Sequence, residues 1–360
     1  MEALLEGLML GNAELKNRIV MAPMTRARSH NGLADELTAT YYAQRASAGL
    51  LITEGLPVSE QATGYLYTPG IYQTSQVQSW QPVTQQVHQA GGKIFAQLWH
   101  VGRVSHHSLQ PGGSAPVSSV AVAGGQAFAY DEQGNPGNVP ASQPEALDLP
   151  GIAQVIEQFR LAARNAIEAG FDGVEIHAAN GYLLEQFINP ALNNRGDGYG
   201  GQTLESRSRL TLEIVDAVAK EIGADKVGIR LSPFNQIGDM PLYTETAETY
   251  LYLANALNQR AIAYVHLALT PQIHVSRLLE HFRQVWRGTL IIAGGLSADE
   301  ANQMLSDGAA DLVAFGSAFI SNPDLVERIT FGWPWAEVKR SSFYGGGAEG
   351  YTDYPCYQAG

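Results

Sequence analysis

The sequence predicts an α/β fold, a (β/α)8 barrel, and three observations predict it. Eight apolar runs of strand length recur along the chain, stretches with helical periodicity separate them, and polar residues gather just past the runs. Short runs rich in Val, Ile and Leu fit parallel strands buried on both faces. Eight of them alternating with helices suit a closed barrel. A doubly wound open sheet is the structural rival, but it needs fewer strands and an early Gly-rich turn.

Taken in order, the strands are Arg18–Ala22, Leu50–Glu54, Lys93–Leu98, Gly173–His177, Val227–Leu231, Tyr264–Leu267, Thr289–Ala293 and Leu312–Phe315. A short hairpin is expected ahead of the first. The clearest helices are Ile152–Ala169, Ser206–Ile222 and Thr246–Gln259, and Gly170 stands where a C′ cap belongs. Two segments break the pattern. Ser105 to Pro150, long and rich in Gly, Pro, Ser and Ala, reads as a hairpin-bearing excursion over the barrel mouth. Ser341 to Tyr354 carries enough aromatics to be expected to dock rather than trail free. Residues 1–360 are expected to form a single domain.

Composition narrows the function. Hydrophobic residues make up 45% and charged residues 16%, as in a compact globular protein. A net charge of −13 argues against a broad surface for nucleic acid or anionic membrane, though not against one anion held locally. The single cysteine, Cys356, rules out an internal disulfide. Met1 to Asn12 carries Glu2 and Glu6 and no basic stretch, unlike a secretory signal, and no apolar run reaches the ~18 residues of a membrane span. A cytoplasmic protein, monomer or homodimer, acting on a small molecule is expected.

Active sites of such barrels sit at the C-terminal ends of the strands. There the chain places Pro23, Met24, Thr25 and Arg26, then Glu54 and Gly55, then Gln97, Trp99 and His100. His177, Asn180 and Tyr182 follow the fourth strand, Arg230 the fifth, Gly294 and Gly295 the seventh, Gly316 and Ser317 the eighth. A phosphate needs converging N–H donors and close backbone approach, which the glycines after the last two strands permit. As spacing alone they are equally ordinary turn glycines. Two donors at i and i+3 after a strand can converge on one oxygen, and His177 and Asn180 have that spacing. Each such residue also has a structural reading: a satisfied histidine, a salt-bridged arginine, a core tyrosine.

The motifs MAPMTRARS, YYAQRASAGLLITEG, AQLWHVGR, GFDGVEIHAANGYLLEQFINP, NNRGDGYGG, VGIRLSP, FISNPDL and SFYGGGAEGYTDYP together resemble the old yellow enzyme family. The likeness is greatest to its bacterial branch, that of the N-ethylmaleimide and pentaerythritol tetranitrate reductases. It runs from about residue 8 to residue 355. The resemblance implies an FMN-dependent ene-reductase that takes a hydride from NADPH or NADH. It then reduces the C=C bond of α,β-unsaturated carbonyls, maleimides or nitroalkenes in a ping-pong cycle. It assigns Gln97 to the pyrimidine edge of the flavin, Arg230 to its N1–C2=O region and Thr25 to its O4. Pro23 and Gly55 contact the ring through backbone, Met24 lies beside them, and Gly294, Gly295, Gly316 and Ser317 lie at the phosphate. His177 and Asn180 hold the substrate oxygen and Tyr182 supplies the proton at Cα. Tyr65, Trp99, Phe343 and Tyr344 line the substrate cavity, and His100, His266 and His274 are structural.

Two positions depart from the family pattern. Asn180 stands where many bacterial relatives have histidine. Ser317 stands where an arginine usually pairs with the FMN phosphate. A charge-assisted bond of that kind is worth about 1.5–3 kcal/mol. FMN is therefore expected to be held by backbone N–H groups and the Ser317 hydroxyl, and to be lost more readily on dilution or in high salt. Two rivals remain: a metal-dependent barrel hydrolase, which lacks a carboxylate-rich ligand set here, and a non-catalytic flavin- or phenol-binding barrel.

Overall fold

Eight parallel strands close on themselves in chain order in the computed structural model, which describes residues 1–269 and 276–358. They are β1 (Ile19–Met21), β2 (Leu50–Pro57), β3 (Ile94–Trp99), β4 (Gly173–Ala178), β5 (Val227–Leu231), β6 (Tyr264–Ala268), β7 (Thr289–Ala293) and β8 (Leu312–Phe315). Pairing of β8 with β1 completes the ring. Every expected strand end lies within one residue of the observed one, with a single larger exception. β2 is expected to stop at Glu54. Instead its register against β3 shifts between Ile52 and Gly55, and it then pairs on as far as Trp99. A bulge of this kind absorbs the glycine and bends the strand beside the mouth.

Alternation along each strand divides the core in two. Ile19 and Met21 of β1 pack outward with the helices, whereas Val20 joins Leu50, Ile52, Phe95, Tyr264 and Leu312 inside the ring. The expected N-terminal hairpin, Leu8–Leu10 with Ala13–Leu15, sends Leu10 and Leu15 into that inner cluster.

Outside, the helix expected from Ile152 begins at Leu149, because Asp148 accepts from the Gly151 N–H at 2.8 Å and Pro150 suits the first turn. It ends at Glu168, with Gly170 in the left-handed region as anticipated. Leu204–Ile222 starts from a capping box at Thr203, and Thr246–Asn258 covers the third expected helix. His274 lies outside the described residues.

Both irregular segments fold over the C-terminal mouth. The excursion after β3 contains an antiparallel hairpin, Gln126–Tyr130 with Pro136–Pro140, and Phe128 accepts from the Leu66 N–H at 2.8 Å, pinning the hairpin beside Tyr65. The C-terminal stretch docks, but chiefly through arginines rather than aromatics. Arg26 donates to the carbonyls of Phe343 (2.9 Å) and Gly350 (2.7 Å), and Arg28 to those of Gly347, Ser342 and Glu349. Tyr351 stacks on Tyr41 at 4.2 Å, yet Tyr344 stays 65% exposed.

Candidate active site

The strand ends meet in a cavity of about 310 Å³. Pro23, Met24, Thr25, Gly55, Gln97, Trp99, His177, Asn180, Tyr182, Arg230, Ser317 and Tyr344 all line it, together with Phe343 and Ile320. Of the expected site residues only Tyr65, Gly294, Gly295 and Gly316 fall outside it, and all four line adjoining spaces. Tyr65 faces an outer vestibule of about 390 Å³ shared with Tyr182, Tyr344 and Phe128. The three glycines line a groove of about 430 Å³ that shares Pro23, Met24, Arg230 and Ser317 with the main cavity.

Parallel register sets the polar floor. Gln97 lies beside Glu175, and His177 beside Arg230, which in turn lies beside His266. The Gln97 amide donates to Glu175 at 2.8 Å, and His266 Nδ1 donates to the other carboxylate oxygen at 2.9 Å. Burial opposes ionisation of Glu175, but the hydrogen bonds from His266 and Gln97 and the charge of Arg230 outweigh it and hold its pKa below the usual carboxylate range. Burial also lowers His266, more than Glu175 raises it, so the ring is neutral and its buried Nε2 is left without a partner. The countercharge of Glu175 is therefore Arg230. That guanidinium makes no hydrogen bond among the described residues, and its Nε is buried and unpaired.

His177 is 4% exposed, and burial, with Arg230 and His266 adding to it, drives its pKa well below the ordinary histidine value. Its Nδ1 accepts from the Ala179 N–H at 3.3 Å. The neutral ring then carries its proton on Nε2, a donor free for a ligand. Asn180 reaches the same cavity because the chain reverses sharply: Asn180 has φ 56° and Gly181 φ 79°. A side chain at Gly181 would put Cβ 2.1 Å from the Ile237 carbonyl, so glycine is required there. Buried Glu185 clamps this turn, accepting from the Gly181 N–H at 2.6 Å and from Ser232 at 3.1 Å; Ser232 in turn accepts from the Asn180 N–H at 2.7 Å. The Asn180 amide has no partner among the described residues.

Tyr182 follows at the head of the helix Leu183–Ile188. Its hydroxyl lies 3.0 Å from that of Tyr65, and burial raises its pKa well above the usual phenol value, with Tyr65 adding to the effect. The aromatic walls interlock: Trp99 stacks on Tyr65 at 5.4 Å and on His177 at 6.1 Å, and Tyr182 meets Trp99 edge-on at 4.9 Å. Gly55 is there for Trp99 as much as for any ligand, since a Cβ would stand 2.4 Å from the indole.

Two groups escaped the sequence reading. Glu175 sits inside an apolar run, and its signal was position: two residues before His177, on the same face of the strand. Arg26 and Arg28 hold the C-terminal stretch, a contact across more than 300 residues that no local pattern reveals.

The residues fit a bound flavin. Arg230, a cation with no hydrogen-bond partner among the described residues, and the Gln97 amide line the main cavity, and none of the N–H groups of Gly294, Gly295, Gly316 or Ser317 has an acceptor among those residues. Unpaired donors lining a groove are what a phosphate-bearing tail requires. Among the described residues no three His, Cys, Asp or Glu side chains are grouped to hold a metal ion, and no helix is long and apolar enough to cross a membrane.

The comparisons agree with this geometry. The profile of the NADH:flavin oxidoreductase / NADH oxidase family matches residues 3–335. The structure of morphinone reductase in complex with tetrahydroNAD superimposes with a TM-score of 0.96, at 44% identity, over 99% of this chain and 98% of that one. The old yellow enzyme homologue from Zymomonas mobilis gives 0.93 at 36% identity, over 99% and 100%. 12-Oxophytodienoate reductase 1 of Oryza sativa subsp. japonica is 44% identical over 356 residues, covering 96% of this chain and 91% of the relative. 12-Oxophytodienoate reductase 2 of Arabidopsis thaliana is 41% identical over 367 residues, covering 97% and 94%. The chain belongs to the NADH:flavin oxidoreductase / NADH oxidase family, the old yellow enzymes, and is an FMN-dependent oxidoreductase.

Proposed function

We propose that the chain is an ene-reductase that uses NADPH or NADH to reduce the C=C bond of enones, maleimides and nitroalkenes in a ping-pong cycle. One observation carries this reading: the free Nε2–H of a neutral His177 and the unpaired amide of Asn180 open into the cavity that the Tyr182 phenol also lines. Bound FMN, held by Gln97, Arg230, Thr25 and the glycines of the groove, would supply the redox chemistry, a hydride relay between nicotinamide and the acceptor's β-carbon. The protein does the rest. His177 and Asn180 donate to the acceptor's oxygen, where negative charge grows in the transition state; donors fixed in a dry site favour that charge without reorganisation. Tyr182, kept protonated by burial, gives its proton to Cα, and Tyr65 connects it to the vestibule, from which the proton is replaced. Trp99 and Tyr65 stack on each other and form one aromatic side of the site, against which a flat, conjugated acceptor can pack.

The similarity to morphinone reductase and to the 12-oxophytodienoate reductases, each named as a reductase, supports an enzyme over a non-catalytic flavin-binding barrel. We treat residues 1–360 as one domain acting on small molecules, cytoplasmic, and monomeric or homodimeric. The test is turnover of an enone, a maleimide and a nitroalkene with each nicotinamide, with products identified by mass. Saturated products from the panel are expected; nicotinamide oxidation with every acceptor recovered intact would count against the reading.

A further inference from the structure

The polar floor of the cavity holds two charges, and only one of them, Arg230, lines the cavity. The other, Glu175, is 0% exposed and sits one side chain further back, behind Gln97. Both of its oxygens are taken by neutral donors, the Gln97 amide at 2.8 Å and His266 at 2.9 Å. Among the described residues it makes no ion pair with a lysine or an arginine; Arg230 balances it without a hydrogen bond between them. Branched apolar side chains ordinarily fill the inside of such a barrel. Burying a carboxylate there costs stability unless its partners repay the lost water, and neutral side chains would serve the fold as well. A charge kept in that place, beside a cavity, points to a task.

On the reading that a flavin occupies this cavity, the carboxylate acts on it in two ways. An ionised carboxylate only accepts hydrogen bonds, so the Gln97 amide turns its nitrogen to Glu175 and keeps its oxygen and its second N–H for the cavity. A ring that takes up electrons beside Arg230 also gains negative charge, which Arg230 favours and Glu175 opposes. We propose that Glu175 is a positioning residue that sets how readily the bound flavin gives up its hydride: it holds the Gln97 amide in place and, by opposing Arg230, keeps the flavin's reduction potential low. Only one amide separates the carboxylate from the cavity. Charges roughly 7 Å apart, at an effective dielectric of about 20, change an equilibrium by about 10- to 100-fold.

The experiment measures the midpoint potential of FMN bound to the parent, to Glu175→Gln and to Glu175→Asp, each equilibrated with a reference dye, with circular dichroism to establish that each folds. Glu175→Gln can still accept from Gln97 and can donate to His266 Nδ1 once that ring changes tautomer, so it removes the charge and keeps the contacts. Its reduction equilibrium should move toward the reduced form by about 10- to 100-fold, a rise of about 30–60 mV for a two-electron couple. Stopped flow should then show faster reduction by nicotinamide and slower oxidation by an enone than in the parent; a barrel merely loosened would slow both. Glu175→Asp keeps the charge that Arg230 needs and draws it back by one methylene. Its equilibrium should move the same way by about twofold, which provides the test if Glu175→Gln does not fold. A potential that equals the parent's or lies below it, in either variant that folds, overturns the proposal. So does a loss of rate in both half-reactions of Glu175→Gln at an unchanged potential. Failure of the parent to bind FMN would refute the flavin reading itself, a separate result.

Discussion

Replacing His177 with phenylalanine removes one of the two donors proposed to hold the substrate oxygen while leaving the aromatic packing largely intact. In the parent the imidazole lies at 13° to Trp99 and meets Tyr182 edge-on at 5.1 Å, contacts that a phenyl ring can keep. What is lost is the Nε2–H, the ring's other nitrogen being occupied by the Ala179 N–H. Loss of one donor to a developing oxyanion costs on the order of 10²–10³ in rate, about 2.7–4 kcal/mol. Asn180 remains, so activity falls rather than vanishes. Because burial keeps His177 neutral at neutral pH, the loss is one of a hydrogen bond and not of a charge. The assay is anaerobic stopped flow with the two half-reactions followed separately. Oxidation of the reduced enzyme by an enone should lose limiting rate, since charge grows on its oxygen only in the transition state. Reduction by nicotinamide, which develops no such charge, should lose binding far more than limiting rate. His177→Gln, which restores a donor, should recover part of the loss. An unchanged limiting rate with enone, or one lost equally in His177→Gln and His177→Phe, would refute the reasoning.

Three further outcomes follow from the same geometry. Tyr182→Phe should reduce its flavin at a near-normal rate and turn over weakly activated enones slowly; unchanged turnover across an enone panel removes Tyr182 from the chemistry. Gly55→Ala forces a Cβ to 2.4 Å from a Trp99 that is 2% exposed, and urea unfolding should register about 1–3 kcal/mol of overpacking; stability equal to the parent's would show that the indole can yield. Glu185 has its pKa raised by burial from 4.5 to about 7. Its folded value thus lies above its unfolded one, so the parent loses stability as pH rises from 4.5 through 7, by up to about 3 kcal/mol. Glu185→Gln keeps an oxygen for Gly181 and Ser232 and should remove that component, measured as unfolding free energies at pH 5 and pH 8; equal pH slopes in the two proteins contradict it.

Much of the barrel was legible because a parallel strand buried on both faces leaves an unbroken apolar run, as in Val227–Leu231 and Thr289–Ala293, where expected and observed ends coincide. β2 runs three residues past its expected end because its pairing with β3 continues through Gly55 and Pro57, residues whose local preference is to weaken a strand. Site residues were readable where they follow a strand and stand out as polar. Glu175 lay hidden within a run, where a single carboxylate looks like an interruption until Gln97, His266 and Arg230 are seen around it. Docking of the C-terminal stretch was anticipated for a partial reason. Tyr351 does bury, but backbone carbonyls of 342–350 are taken by Arg26, which the sequence places at a strand end without a partner, and by Arg28, to which it gives no role. Backbone acceptors have no sequence signature, so such partners emerge only once the chain is folded.

The most direct test of the central claim is a two-step anaerobic experiment on the FMN-loaded enzyme, watched through the visible flavin absorbance. A stoichiometric nicotinamide should bleach the flavin, and an enone added next should restore the oxidised spectrum while yielding one equivalent of saturated ketone. A flavin that nicotinamide leaves coloured, or that stays bleached after the enone, would contradict the account.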